Sequence, residues 1–243
     1  MPEQKVFVAS EENKAKAKQL RLFAVLAWLI AMAGQAFAIF KLLHNNTLTW
    51  LIVTIVVILI LAITGSTLWK NANRLDPASE KDKARFFIQN QLGAILGVLA
   101  FLPLVILIFM NKDLDGKTKG IAGAVAVVAM LVAGISGIDF NPPSVEKYTN
   151  EINQQTDQLK KLNPASDVVY WTKEGNKYHI YRDCQHIKNK TDVTQGTIKE
   201  SFDQRGISEL CITCQNKAMK ERNLSPNDVL NPATAKEAAD STK

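Results

Sequence analysis

All three cysteines of this chain, and two of its three histidines, lie between residues 179 and 214. His179 and Cys184 are spaced His-x4-Cys, and a longer connection leads to Cys211 and Cys214, which are spaced Cys-x2-Cys. Two close pairs of soft or borderline ligands suit a tetrahedral Zn²⁺ ion, because each pair can chelate the metal from one tight turn. The spacing therefore predicts a zinc site in this part of the chain.

Three other uses of the Cys-x2-Cys pair fit the sequence less well. A thioredoxin-like redox pair opens a helix after a strand of a βαβ unit, and no such unit is found in the sequence. A haem attachment site needs a histidine where Gln215 stands. A structural disulfide would leave one cysteine over and would give His179 no role. Zinc is the interpretation that employs all four residues.

The histidine ligand has two candidates. His179 lies at the end of a predicted strand, and the residues before Cys184 form a loop that could fold both side chains onto one ion. His186 lies two residues past Cys184 and could chelate with it if the chain is extended there. The sequence favours His179, with His186 as an exposed residue or as a neighbour of the ligands.

A longer pattern around these residues resembles the Ada-type zinc-binding module. It comprises VYWTKEGNKYH at residues 169–179, Cys184, IKESFDQRG at residues 198–206 and CITC at residues 211–214. The family pattern is roughly v-y-x-T-x-x-G-x-K-Y-H-x3-C, followed by s-l-x-E-A-x-x-x-G-y-x-P-C-x-x-C. The resemblance covers about a quarter of the chain, roughly residues 167–222.

The resemblance implies a zinc ion on His179, Cys184, Cys211 and Cys214, in a module that accompanies bacterial secreted nucleases and membrane proteins. The chain departs from the pattern in two ways: the first knuckle is one residue longer, and Leu210 stands where proline usually precedes the last Cys-x2-Cys. In the Ada repair protein, a cysteine at the position of His179 accepts a methyl group from damaged DNA. Histidine in that position argues against methyl transfer, so the resemblance carries over only the role of a scaffold.

The composition divides the chain into two unlike halves at Asp139. The part before Asp139 carries 14 basic and 8 acidic residues, and the remainder carries 15 of each, so the net charge of +6 belongs to the first half. A neutral C-terminal half gives no electrostatic reason to expect nucleic acid as a partner, because that would require a basic patch.

The first half contains four long apolar runs, at residues 22–43, 48–68, 92–110 and 121–138. About 20 apolar residues in a helix are enough to cross the hydrocarbon of a bilayer, so the runs predict four transmembrane helices. Apart from Lys41, near the end of the first run, none of them contains Asp, Glu, Lys, Arg or His. Since intramembrane charges are kept for function, their absence argues against an ion- or proton-coupled transporter.

Two runs carry further signals. Pro103 lies inside the third run and predicts a kink, which neighbouring helices can accommodate in a membrane. The fourth run is rich in small residues at intervals of four, which suits close contact between helices in lipid or simply fills an apolar helix. These small residues are Ala122, Ala126, Ala129, Ala133 and Gly137.

The distribution of Lys and Arg predicts the orientation in the membrane. Ten of these residues lie in the N-terminal segment and in the loop between the second and third runs. Four lie on the opposite side, namely Lys41, Lys112, Lys117 and Lys119. The excess of positive charge marks the cytoplasmic side, so we expect a multi-pass protein of the cell membrane with both termini in the cytoplasm.

A helical stalk is predicted between the membrane and the zinc site. Asn141-Pro142-Pro143 ends the fourth helix and Ser144 can cap the next one. The apolar residues of that helix fall on a and d positions, namely Val145, Tyr148, Ile152, Leu159 and Leu162. This pattern fits a short coiled coil that would join two copies, or a helix that leans on the zinc module or the membrane surface.

The rest of the chain reads as a small α+β domain. Residues 168–172 and 177–181 predict a β-hairpin, and residues 197–204 and 215–223 predict short helices. The polar end of the chain predicts disorder.

We therefore expect an α-helical membrane protein with four transmembrane helices and a small zinc-binding domain. Its expected segments are a cytoplasmic N-terminus (1–21), the membrane domain (22–138), a stalk (139–166), the zinc module (167–223) and a disordered tail (224–243).

No Ser/His/Asp set, phosphate loop or paired carboxylates point to an enzyme. The expected function is interaction or scaffolding through structural zinc, with the lipid bilayer, a protein partner and a second copy (through the stalk or the fourth helix) as partners. One alternative is a membrane-tethered redox or metal sensor that uses Cys211 and Cys214. Another is a small channel or transporter subunit that the zinc module regulates.

Overall fold

The structure is a computed structural model that describes residues 6–229. Of these, residues 11–144 form one compact unit, and residues 6–10 together with 145–229 form a second. The helical unit begins eleven residues ahead of the predicted start of the membrane domain at residue 22, because the first helix already begins in the polar segment. We call the two units the helical bundle and the C-terminal unit.

The helical bundle consists of five helices and one short 3-10 turn. The helices are α1 (Glu11–Lys41), α2 (Leu48–Leu75), α3 (Lys83–Leu99), α4 (Leu102–Met110) and α5 (Gly116–Gly137), with the turn at Asn45–Thr47 between α1 and α2. Four stretches are long and apolar enough to span a membrane: Glu11–Lys41, Asn45–Leu75, Lys83–Met110 and Gly116–Gly137. They cover almost all of the four apolar runs, so the prediction of four such helices is confirmed.

The predicted irregularity at Pro103 takes the form of a helix break. The third candidate span is divided into α3 and α4 at Ala100 and Phe101, and Pro103 lies in the first turn of α4. Proline has no N–H and its ring clashes with the preceding turn, so it is tolerated at a helix start and not in the interior. The break is therefore a direct consequence of the sequence.

The small residues of α5 lie where helices approach most closely. A Cβ atom on Gly137 would stand 2.4 Å from the backbone nitrogen of Ala94, and one on Gly97 would stand 2.7 Å from the carbonyl oxygen of Ala133. Helices in lipid associate by such close backbone contact, because apolar surface gains nothing from leaving lipid. Ala133 and Gly137 of α5, the fourth candidate span, thus pack within the chain against α3.

Polar side chains in the bundle face inward, and many large apolar ones face outward. Ser66 and Asn73 are fully buried, and their side chains donate hydrogen bonds to the carbonyl oxygens of Gly93 (3.2 Å) and Gln89 (2.6 Å) on α3. Large apolar residues such as Phe40, Trp50 and Phe109 are exposed. This distribution suits a helical bundle surrounded by lipid.

The C-terminal unit combines four helices with a two-stranded sheet. Its elements are α6 (Val145–Leu162), β1 (Val169–Thr172), β2 (Val193–Gly196), α7 (Ile198–Arg205), α8 (Ile212–Glu221) and α9 (Pro226–Val229). β1 and β2 are antiparallel, with Val169 opposite Gly196 and Thr172 opposite Val193. The main partner of β1 is therefore β2 and not residues 177–181, which meet β1 only through one bridge between Tyr170 and His179.

α6 is part of the folded C-terminal unit rather than a free stalk. Leu159 and Leu162 are buried in the same core as the three cysteines, whereas Ile152 and Tyr148 pack in a separate cluster with Phe202. The predicted a and d positions are thus largely covered within one chain. This packing agrees with the alternative in which the helix leans on the zinc module.

The predicted disordered tail begins with a short helix. α9 spans Pro226–Val229, and Val229 is buried in the core of the C-terminal unit. Residues 230–243, which make up the rest of the predicted tail, lie outside the described residues.

Candidate metal centre

His179 is positioned by the sheet. Its N–H donates to the carbonyl oxygen of Tyr170 (2.7 Å), and the N–H of Tyr170 donates to the carbonyl oxygen of His179 (2.8 Å). A reciprocal pair of this kind fixes the residue on one face of an antiparallel ladder, because side chains alternate across it. His179 is thereby turned into the core, where it is 6% exposed.

The Cys-x2-Cys pair is brought beside His179 by a second backbone contact. Tyr178 donates its N–H to the carbonyl oxygen of Glu209 (2.9 Å) and accepts from the N–H of Cys211 (2.8 Å). Cys211 is the residue before α8, and Cys214 lies in the first turn of that helix. One strand-like contact and one helix start therefore place both cysteines next to the histidine.

Cys184 comes from a separate turn. Its N–H donates to the carbonyl oxygen of Tyr181 (3.2 Å), and its own carbonyl oxygen accepts from Ile187 (2.9 Å) and Lys188 (2.8 Å). The first bond lies within the loop between His179 and Cys184, and the other two close the turn that follows Cys184, so a spacer of four residues suffices to turn both side chains inward.

The structure brings together the four residues that the sequence singled out. One ligand atom from each of His179, Cys184, Cys211 and Cys214 lies within 4.8 Å of the others, and all four residues are buried. Nδ1 of His179 lies 3.6 Å from Sγ of Cys214. Three sulfurs and one imidazole nitrogen at this separation form a group that could hold a metal ion.

His186 lies outside this group. It is exposed, and its Nε2 atom lies 3.1 Å from the hydroxyl of Thr213. Its ring centroid is 6.3 Å from that of His179. The geometry therefore places His186 beside the cluster, as a neighbour of the candidate ligands.

The protonation of the cluster suits a cation. Burial lowers the pKa of His179 to about 4, with a smaller contribution from His186, so the imidazole is neutral at pH 7. The pKa of Cys214 is raised to about 12, chiefly by burial and partly by the neighbouring thiol of Cys184. Crowded, buried thiols resist ionisation because thiolates lose solvation and repel one another, and a divalent cation removes both obstacles.

The pKa of the Cys211 thiol lies below its ordinary value. Burial acts to raise this pKa, but the nearby backbone N–H groups of Cys214 and Thr213, together with the side chains of Cys184 and Thr213, outweigh that effect and lower it. These N–H groups belong to the first turn of α8, where they have no partner within the helix. The Cys-x2-Cys spacing thus supplies a ligand and the donors that stabilise its negative charge.

A packed core encloses the cluster. Trp171, Tyr178 and Ile180 are nearly inaccessible and belong to the same core as the cysteines. The hydroxyl of Tyr178 donates to Oε1 of Gln155 on α6 (2.7 Å), which gives its buried polar group a partner. Four protein donors and a water-excluding core favour a structural metal over a catalytic one, which would keep a position open.

Sequence reasoning missed two supports of this centre. The pairing of β1 with β2 lay in a segment read as a connection, although the β-branched pair Val193-Thr194 gave a weak strand signal. The docking of α6 on the core could not be told from a coiled-coil seam, because both give the same apolar spacing.

No family model, no curated protein and no solved structure matches this chain.

Proposed function

We propose that the C-terminal unit binds one structural Zn²⁺ ion through His179, Cys184, Cys211 and Cys214. The observation that carries the proposal is the gathering of four buried donor atoms within 4.8 Å. Three thiolates and one imidazole form a common ligand set of structural zinc sites, and soft sulfur donors favour zinc over magnesium or calcium. The resemblance to Ada-type modules supports the same four ligands from the sequence pattern.

The size of the C-terminal unit gives zinc a physical role. The elements that surround the donor group are a turn at Cys184, two strands of four residues and the short helices α7 and α8, which bury little apolar surface of their own. Zinc binding contributes about 10–16 kcal/mol to the folding of finger peptides. We therefore propose that the metal stabilises the fold of the C-terminal unit and that this unit serves in interaction or scaffolding at a membrane.

We further propose that the helical bundle crosses the cell membrane four times, with both termini in the cytoplasm. The excess of Lys and Arg near the N-terminus and between the second and third spans supports this orientation. The contact of residues 6–10 with the C-terminal unit supports an even number of crossings, because both chain ends must then share one side of the membrane.

Metal analysis of the full-length protein in detergent tests the zinc assignment. We expect one zinc per chain, lost on substitution of any of the three cysteines by serine and nearly lost in His179→Ala. His186→Ala is the matched control and should retain zinc, because its ring lies outside the donor group. Zinc lost in His186→Ala but retained in His179→Ala would move the fourth ligand to His186.

Glycosylation in a eukaryotic host tests the orientation. Asn189-Lys190-Thr191 and Asn223-Leu224-Ser225 are acceptor sequences, and both asparagines are exposed. We expect neither to be modified, and reporters fused to the C-terminus to be active only if they function in the cytoplasm. Modification of either asparagine would place the C-terminal unit outside.

One observation also favours a redox sensor. All three cysteines are free thiols and their sulfurs lie within 4.8 Å of one another, so a two-electron oxidant such as a peroxide could convert Cys211 and Cys214 to a disulfide. A protein that folds equally well without metal and carries that disulfide would support the sensor and exclude structural zinc.

A further inference from the structure

The segment before α1 is bound to the C-terminal unit by an aromatic cluster. Phe7 is 4% exposed, and its ring meets those of Tyr148 on α6 and Phe202 on α7 edge to face, at centroid distances of 5.3 and 5.7 Å. The rings of Tyr148 and Phe202 are themselves 4.7 Å apart. Ile152 completes the cluster. We call residues 6–10 the N-terminal clasp.

Backbone hydrogen bonds hold the clasp at both ends. The N–H of Phe7 donates to the hydroxyl of Thr149 (2.9 Å), and the N–H of Ser10 donates to Oδ1 of Asp203 (3.1 Å). Phe7 and Ala9 are buried, whereas the residues beside them, Val6 and Val8, are exposed. This alternation is that of an extended peptide with one face in a groove, so the groove between α6 and α7 recognises a specific segment.

Helix α7 connects this groove with the metal centre. It contributes Phe202 to the aromatic cluster and Ile198, one turn earlier, to the core that contains the three cysteines. The hydroxyl of Ser201 donates to the carbonyl oxygen of Ile207 (3.2 Å) and so ties α7 to the loop that leads to Cys211. Gly206, with φ of 66°, ends the helix in the left-handed conformation that glycine adopts without strain.

We propose that occupancy of the metal centre controls the clasp. The proposal rests on the zinc site proposed above and goes beyond it by naming what the metal regulates. With metal bound, the loop from Ile207 to Cys211 is fixed, α7 presents Phe202, and the clasp closes. Without metal, α7 loses its support and the clasp opens. Ser10 is covalently bonded to Glu11, the first residue of α1. Opening or closing of the clasp therefore changes the support of the chain at the start of the first candidate span.

Thermodynamic linkage allows the proposal to be tested by a substitution in the clasp and a measurement of zinc affinity. If metal favours the closed clasp, then the closed clasp must favour metal by the same factor. We expect Phe7→Ser to weaken zinc affinity by about fivefold or more, although Phe7 belongs to a different cluster from the cysteines. Affinity is measured on the full-length protein in detergent by competition with a chromophoric chelator. Phe140→Ser is the control, because Phe140 is 80% exposed and lies outside the C-terminal unit.

Hydrogen exchange of the amides of Phe7 and Ser10 reports the clasp itself. In the zinc-loaded protein, both should exchange at least about tenfold more slowly than after chelation or in Phe7→Ser. Thr149→Val is a milder substitution that removes the acceptor of the Phe7 N–H, and it should also make the Phe7 amide exchange faster than in the wild-type zinc-loaded protein.

The outcomes separate this inference from the zinc proposal. Absence of zinc from the wild-type protein would overturn both. Stoichiometric zinc would sustain the site but overturn the clasp proposal in either of two cases: the two amides stay protected after chelation, or Phe7→Ser opens the clasp without weakening zinc affinity.

Discussion

The helical bundle and the C-terminal unit differ in where their large apolar side chains lie: many are exposed around the bundle, whereas most are buried in the C-terminal unit. In the bundle, small residues such as Gly97 and Gly137 lie at the closest contacts, Asn73 is fully buried, and Phe40 is exposed. In the C-terminal unit, Trp171 and Tyr178 are buried. The difference follows from the surroundings for which each part is built, because apolar side chains leave water but gain nothing by leaving lipid.

The comparison also separates two ways of securing a fold. The bundle relies on long helices whose backbone groups bond within each helix, and on backbone-to-backbone proximity between them. The C-terminal unit has short elements, a sheet of only two strands and four buried donors at its centre. We infer that the first is sensitive to added volume and the second to loss of a ligand.

The largest expected effect is that of Cys211→Ser. A hydroxyl is a poor zinc ligand, so the C-terminal unit should lose most of the roughly 10–16 kcal/mol that zinc binding contributes to such domains and unfold. The bundle should remain helical. Zinc content, near-UV circular dichroism and far-UV circular dichroism, compared with His186→Ala, measure the effect. Equal loss of order in both units would break the distinction between them.

Among glycine-to-alanine substitutions in the bundle, Gly137→Ala should cause the largest loss of stability. The added Cβ would stand 2.4 Å from the backbone of α3, which cannot yield as a side chain does, so we expect a loss of about 2–3 kcal/mol. Gly120→Ala, in the same helix, has nothing within 4 Å of its Cβ and should be neutral or stabilising by up to about 1 kcal/mol. Thermal unfolding in detergent compares the two, and equal melting temperatures would argue against the close contact of α3 and α5.

Thr197→Ala should weaken the C-terminal unit by about 1 kcal/mol. Thr197 caps α7 by accepting from the N–H of Glu200 (3.3 Å), and the Glu200 carboxylate accepts from the N–H of Thr197 (2.7 Å). Denaturant unfolding of the zinc-loaded protein, with the exposed loop residue Thr191→Ala as control, measures the loss. A loss as large as that of Cys211→Ser would mean that α7, rather than the metal, limits stability.

The smallest effect is expected for Lys177→Ala. Its ammonium lies 2.9 Å from the Glu209 carboxylate, but both side chains are largely solvated, so the pair should contribute under about 0.5 kcal/mol. The same unfolding assay should show almost no change, and less in high salt. A larger loss would indicate that the contact of Lys177 and Glu209 supports the neighbouring bond between Tyr178 and Glu209.

The sequence by itself determined the four candidate spans, an irregularity at Pro103 and the residues of the candidate metal centre. Each of these signals is local: a run of apolar residues, a missing N–H, or ligands paired across a few positions. Such local features can be predicted from the sequence because the residues that act together are close in the chain.

Only the tertiary structure decided the pairing of β1 with β2, the docking of α6 on the core and the clasp at Phe7. Phe7 and Phe202 are far apart in the chain, and nothing in the N-terminal segment alone distinguishes a docked phenylalanine from an exposed one. The same holds for α6, whose apolar spacing fits a partner helix as well as its own core. Such contacts depend on which surfaces meet after the local elements form. Because the hydrophobic effect is non-directional, an apolar residue in the sequence does not indicate which other residue it will pack against.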